Sequence, residues 1–170
     1  MIYTYIFFGF TVALEDCVLY IQTMEIWTDG SCLGNPGFGG WGAISEAFEI
    51  SGASSATTNN IMELTAVLRA LERCIETDVK DVIVWTDSFY VKNGITSWVN
   101  GWKRNGWKTS NGQPVKNKQL WMDIDAAARK MHSVEWLWVK AHNGHPQNEA
   151  VDALARGRAS ALKKTSSPKV

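Results

Sequence analysis

Four carboxylates in this chain sit where they could do chemistry together. Asp29 follows Trp27-Thr28 and precedes Gly30-Ser31; Asp87 follows Trp85-Thr86 and precedes Ser88. Each closes a short apolar run with a Thr and then meets a small residue. If the two runs are neighbouring parallel strands, both side chains leave the sheet at one edge, where open α/β sheets place their sites. Glu63 falls early in a helix behind a run of cap-forming residues, and Asp152 early in the last helix. Taken singly, an Asp after a strand is commonly a turn former or a helix cap. Repetition of the pattern at two strand ends is harder to assign to turns. Four carboxylates at one edge would repel one another strongly unless cations intervened. All-oxygen ligands suit Mg²⁺ or Mn²⁺. Two such ions about 3.5–4 Å apart can activate a water and stabilise the leaving oxygen of an in-line phosphoryl displacement.

The elements that must position these groups are legible from pattern. Met24–Thr28 reads as a short strand. Residues 30–42, with six glycines and Asn35-Pro36, read as a turn followed by tight packing. Residues 40–52 read as two further strands, so the first three form an antiparallel meander. Thr57, Thr58, Asn59 and Asn60 are cap formers, and Met62, Ala66, Leu71 and Ile75 then recur near helical period. Val82–Thr86 is a β-branched strand. Residues 88–99 and 117–131 read as helices, Val134–Val139 as a strand, and Pro146 opens a last helix that ends by Leu162. The expected fold is α/β: a mixed five-stranded sheet, three strands antiparallel and then parallel ones, flanked by helices.

Length and composition bound the rest. The 170 residues suit one domain. Net charge is zero, so any grip on phosphates must be local. Residues 88–122 supply such a place: Lys92, Lys103, Arg104, Lys108, Lys116 and Lys118 stand there without an Asp or Glu, among Tyr90, Trp98, Trp102, Trp107 and Trp121. Basic residues interleaved with aromatics fit a surface that tracks a nucleic-acid backbone, although a solvated helix over a Trp-rich packing core would look alike. Cys17, Cys32 and Cys74 show no metal-type spacing and no disulfide framework, which favours a reducing compartment. We expect a cytoplasmic monomer that needs no membrane and no small-molecule cofactor.

Four blocks carry a resemblance. EIWTDGSCLGN (25–35), TTNNIMEL (57–64), VWTDSFYV (84–91) and VKAHNGHPQNEAVDALA (139–155) resemble the signature blocks of type 1 ribonuclease H, in order and with bacterial-type spacing. The match runs from about Met24 to Arg158. The resemblance implies a ribonuclease H-like fold and a nuclease that cuts the RNA strand of an RNA–DNA hybrid duplex, leaving a 5′-phosphate and a 3′-hydroxyl. It implies two Mg²⁺ ions, with Mn²⁺ as a substitute, held by Asp29, Glu63, Asp87 and Asp152, Asp29 bridging both. His142 matches a mobile histidine that assists proton transfer or product release. Backbone around Cys32–Asn35 would meet the 2′-hydroxyl, Asn35, Asn59 and Asn60 the minor groove, and Thr58 a DNA phosphate. The basic stretch resembles the protrusion of cellular enzymes, with Tyr90, Trp98, Lys103, Arg104 and Lys108 facing the DNA strand. Departures are Phe89 where Gln is common, Ile61 where Arg is common, and Asn143 where a small residue is common.

Two other readings keep the same elements. A strand-transfer enzyme or other nuclease of this fold shares an acidic cluster but not all four blocks together. A non-catalytic hybrid-binding module would have lost a ligand carboxylate, and all four are present.

The chain divides into an apolar extension (1–23), a catalytic domain (24–162) and a polar tail (163–170). Residues 1–14 are almost wholly apolar, yet shorter than the roughly 20 residues that span a bilayer. No Lys or Arg precedes Arg69, so a signal peptide's basic flank is missing. Every matched block lies beyond the extension. A chain starting at Met24 is therefore expected to fold, stay soluble and keep full activity, with the full-length form less soluble because of its apolar patch. Thermal midpoint, size-exclusion profile and activity of both forms check this; a midpoint several degrees lower for the short form would make the extension part of the fold.

Overall fold

The computed structural model describes residues 23–166. The apolar run 1–14 and the last residues of the tail lie outside them. Five strands form one sheet: β1 (Met24–Gly34), β2 (Gly37–Ser45), β3 (Glu49–Thr57), β4 (Asp81–Thr86) and β5 (Ser133–Trp138), in the spatial order β3-β2-β1-β4-β5. β1, β2 and β3 pair antiparallel; β4 joins β1 parallel and β5 joins β4 parallel. The mixed sheet expected from pattern is the one observed.

Alternation along β1 separates two faces. Ile26 and Thr28 are buried on one, where α1 (Asn59–Glu76) lays Leu64, Val67 and Leu71 against the sheet and α4 (Lys118–Ala128) adds Trp121 and Ile124. Full burial of such side chains is worth about 1.5–3 kcal/mol each. The other face of β1–β3 is covered by α5 (Pro146–Ser166). Among the described residues no helix is long and apolar enough to cross a membrane.

Several boundaries differ from expectation, and packing accounts for the two largest differences. β1 does not stop at Thr28 but runs 11 residues to Gly34, because its glycines serve close approach rather than turning. Only Gly34 there, at φ +95°, makes a turn. β2 and β3 together span residues 37–57, extending past both ends of the 40–52 expected for them. The helix expected over 88–99 is broken into α2 (Phe89–Asn93), a π-helical turn (Gly94–Trp98) and α3 (Val99–Arg104). A methyl on Gly94 would lie 2.1 Å from the Trp121 ring, so the chain widens where the indole presses on it. Finally, α5 continues past Leu162 to Ser166; Gly157, within it, faces open space.

Gly40 governs how α5 sits. A Cβ there would be 2.2 Å from the Ala155 carbonyl oxygen and 2.6 Å from the Ala159 nitrogen. Gly40→Ala must push α5 outward, and Asp152 with it. We expect a thermal midpoint lower by several degrees, from overpacking of about 1–3 kcal/mol, together with reduced turnover; an unchanged midpoint by calorimetry would refute this account of the packing.

Candidate metal-dependent active site

Parallel register sets the first two carboxylates side by side. Trp27 pairs with Trp85 and Thr28 with Thr86, so Asp29 and Asp87 follow equivalent strand positions. The Thr28 hydroxyl donates to the Trp85 carbonyl at 3.1 Å, tying the two strands just before the site. Glu63 enters from α1. Thr58 caps that helix, its Oγ1 accepting from the Ile61 N–H at 3.4 Å, and places Glu63 on the turn facing β1. Carboxylate oxygens of Asp29, Glu63 and Asp87 lie within 4.8 Å of one another.

This approach needs Gly30. A Cβ on it would stand 2.2 Å from the Glu63 backbone nitrogen. Its own N–H donates to Asp29 Oδ1 at 2.7 Å and also partners Glu63. Asp152, from α5, stands close enough for its carboxyl to act on that of Asp29. It is gripped from behind by Arg156 at 2.7 Å.

Electrostatics follow from burial. Asp29 and Glu63 are each only 5% exposed. Desolvation first, then the charge of Asp87, raises the Asp29 carboxyl to about 8, and Asp152 adds to the rise. Glu63 is likewise held well above the usual carboxylate range by desolvation and by Asp29 and Asp87, against lowering hydrogen bonds from Gly30 and Asn59. A cluster that resists losing its protons by itself, with oxygen donors only, is a fitting cradle for hard divalent cations, whose charge would reverse that resistance.

The other expected residues divide into two groups. Around the carboxylates, Asn59 Nδ2 donates to Glu63 Oε1 at 3.2 Å, and the Asn59 N–H donates to Asn35 Oδ1 at 3.3 Å. Asn60 is half-buried in the first turn of α1. The Cys32 thiol donates to the Thr57 carbonyl at 3.4 Å, and burial raises its pKa, so it is no ready nucleophile. His142 lies in the loop between β5 and α5 at φ +51°, largely exposed, with Nδ1 3.9 Å from Asp152 Oδ2. Its neighbour His145 is stacked on Trp27 at 4.2 Å, and Trp27 is stacked in turn on Trp85 at 4.8 Å. His145 thus anchors the loop.

The second group stands apart along α2, the π-helical turn, α3 and the turn that follows it. The Tyr90 hydroxyl accepts from Trp121 Nε1 at 3.2 Å and from Asn117 Nδ2 at 3.3 Å. Trp98 remains 39% exposed. Arg104 and Lys108 are exposed. Lys103 is not open in the same way: its Nζ pairs with Asp125 at 3.0 Å, and Arg129 holds the same carboxylate at 2.7 Å.

Sequence reasoning missed Asn148. It is 2% exposed and its Nδ2 donates to Asp87 Oδ2 at 3.1 Å, fixing that carboxylate's orientation. Its position four residues before Asp152, on the same face of α5, was the available signal.

Fold and site together define a nuclease-type centre of the ribonuclease H architecture. A family-wide sequence profile described as RNase H matches residues 21–160, and the chain belongs to that family. It is 49% identical over 145 residues to a ribonuclease H of Paracoccus denitrificans, covering 80% of this chain and 92% of the relative. It is 52% identical over 147 residues to a ribonuclease HI of Neisseria meningitidis serogroup B, covering 81% and 97%. Among solved structures, LC9-RNase H1, a type 1 RNase H with the type 2 active-site motif, superposes with a TM-score of 0.73 at 33% identity, over 82% of this chain and 72% of that one.

The raised Asp29 pKa has a signed consequence. A carboxyl whose folded pKa lies above its unfolded value contributes stability at low pH and loses it as pH rises through the folded value. For Asp29 that window runs from 3.8 to about 8. In chelator, Asp29→Asn should therefore have the higher thermal midpoint at pH 8–9, with the gap closing toward about pH 4. Adding Mg²⁺ at pH 8 should raise the wild-type midpoint and leave the variant's unmoved. Parallel pH curves for the two proteins in chelator would show that Asp29 carries no such burden.

Proposed function

We propose that this protein is an endonuclease that hydrolyses the RNA strand of RNA–DNA hybrids, leaving a 5′-phosphate and a 3′-hydroxyl. The observation that supports this most directly is the buried Asp29–Glu63–Asp87 cluster at the edge where β1 and β4 end, within a chain of the RNase H family. Asp29, Glu63, Asp87 and Asp152 are the groups that would hold two Mg²⁺ ions, with Mn²⁺ as a substitute. Such ions lower the pKa of an attacking water and stabilise the leaving oxygen of an in-line displacement.

The chain's own residues do the rest. Gly30 and Asn148 hold Asp29 and Asp87 in fixed rotamers, which preorganises the centre before substrate arrives. His142 Nδ1 stands beside Asp152 at the open side of the cluster, where a proton can be passed to or from the departing oxygen. Asn35, Asn59 and Asn60 present amides along one rim, suited to the wide minor groove and its 2′-hydroxyls, and backbone at Cys32–Asn35 meets the same groups. Thr58 takes a DNA phosphate at the start of α1. Tyr90 and Trp98 meet the DNA strand with Arg104 and Lys108; Lys103 contributes through field rather than direct pairing, because Asp125 engages it. The protein acts as a monomer in the cytoplasm.

One labelled-substrate assay tests the reading. With Mg²⁺ the protein should cut the RNA of a hybrid and leave single-stranded RNA, duplex RNA and duplex DNA intact. Asp29→Asn should nearly abolish cleavage with hybrid binding preserved. His142→Ala should slow turnover by about 10²–10⁴ or less, the range of proton-transfer assistance. Near wild-type turnover by Asp29→Asn would remove the carboxylate assignment, and a loss for His142→Ala as complete as that for Asp29→Asn would remove the proton-transfer role.

A further inference from the structure

Phe89 is 60% exposed, the most exposed of the large apolar side chains among the described residues. It is the first residue of α2 and stands two residues beyond Asp87. One face of its ring is stacked on Trp138, with centroids 4.4 Å apart and planes 22° from parallel. Trp138 is itself fixed, because its Nε1 donates to the Asp87 carbonyl at 2.9 Å. Ser88 caps α2 by accepting from the Val91 N–H at 3.4 Å, which sets the direction in which Phe89 leaves the backbone. The result is a rigid two-ring platform, anchored to the main chain of a site carboxylate and open on its outer face.

Leaving an aromatic ring in water forgoes burial that the chain could have arranged. A phenyl ring offers no hydrogen bond and no charge. What it can hold is a flat or C–H-rich apolar surface. In an intact hybrid the base faces are covered by neighbouring pairs, so the apolar surface reachable from the groove is the face of a sugar. The phosphodiester beside Asp87 belongs to the strand being cut.

We propose that Phe89, backed by Trp138, is a substrate-positioning contact that packs against a ribose of the RNA strand next to the scissile phosphate. This rests on the reading of the site as a hybrid nuclease. The contact is sequence-blind and releases no counterions, and so differs in kind from one made by Arg104 or Lys108.

The experiment compares wild type, Phe89→Ala, Phe89→Leu, Phe89→Tyr and Arg104→Ala. Binding of a hybrid is titrated over a salt series on the Asp29→Asn background, and steady-state cleavage is measured on the active background. Phe89→Ala should weaken binding and raise KM about tenfold, with kcat little changed, and Phe89→Tyr should restore both. The slope of log Kd against log salt should stay at the parent value for Phe89→Ala and flatten for Arg104→Ala. Phe89→Leu keeps apolar bulk over Trp138, so if Phe89→Ala loses thermal midpoint the leucine variant carries the comparison and should still show weaker binding. Parent-like Kd for both Phe89→Ala and Phe89→Leu overturns the proposal, as does a salt slope that flattens with Phe89. Wild type that binds hybrid but does not cut it would overturn the nuclease reading alone, since the binding series judges Phe89 by itself.

Discussion

The structure turns on a point of contact too tight for a single methyl group. Where β1 crosses the start of α1, the backbone of Gly30 lies against that of Glu63. That closeness brings like charges into a water-poor corner, at an energetic cost that only hydrogen bonds, protons or bound cations can offset. Much else serves to hold the corner shut. Thr28 bridges to β4, Thr58 fixes the start of α1, and Leu64, Val67 and Leu71 bury the helix just beyond its acidic residue. The site is therefore a tension within the fold, maintained by the core beneath it.

What the sequence made legible was the chemistry and its edge. Thr-Asp followed by a small residue at two strand ends, and a cap run before Glu63, carry local physics that a chain displays without its fold. The glycines of 30–42 misled because a glycine looks the same whether it turns the chain or admits a neighbour. Gly30 and Gly40 do the second, and only the arrival of α1 and α5 reveals it. The break at Gly94 is hidden for the same reason, since its cause is an indole 27 residues away. Asn148 went unread because an asparagine early in a helix also passes for a capping residue, and its partner Asp87 is remote in sequence.

The basic stretch shows a similar limit of one-dimensional reading. From residue 88 to 122 no acid interrupts the cations. Folding returns one: Asp125 on α4 sits under α3 and engages Lys103, leaving Arg104 and Lys108 to project. An acid-free stretch of sequence is thus not an acid-free surface. The field such a surface offers to phosphates is set by what packs beneath it as much as by what it carries.

The loop that bears His142 is pinned at both ends. The Val139 N–H donates to the Thr86 carbonyl at 3.1 Å, and His145 lies on the Trp27–Trp85 stack just before α5 begins. Between these posts the chain is slung like a short rope bridge, its span set by the sheet. Both posts rest on the strands that carry Asp29 and Asp87. Any motion of the imidazole is therefore an arc drawn about the carboxylates themselves, and a shift in the spacing of β1 and β4 would carry that arc along with the site it serves.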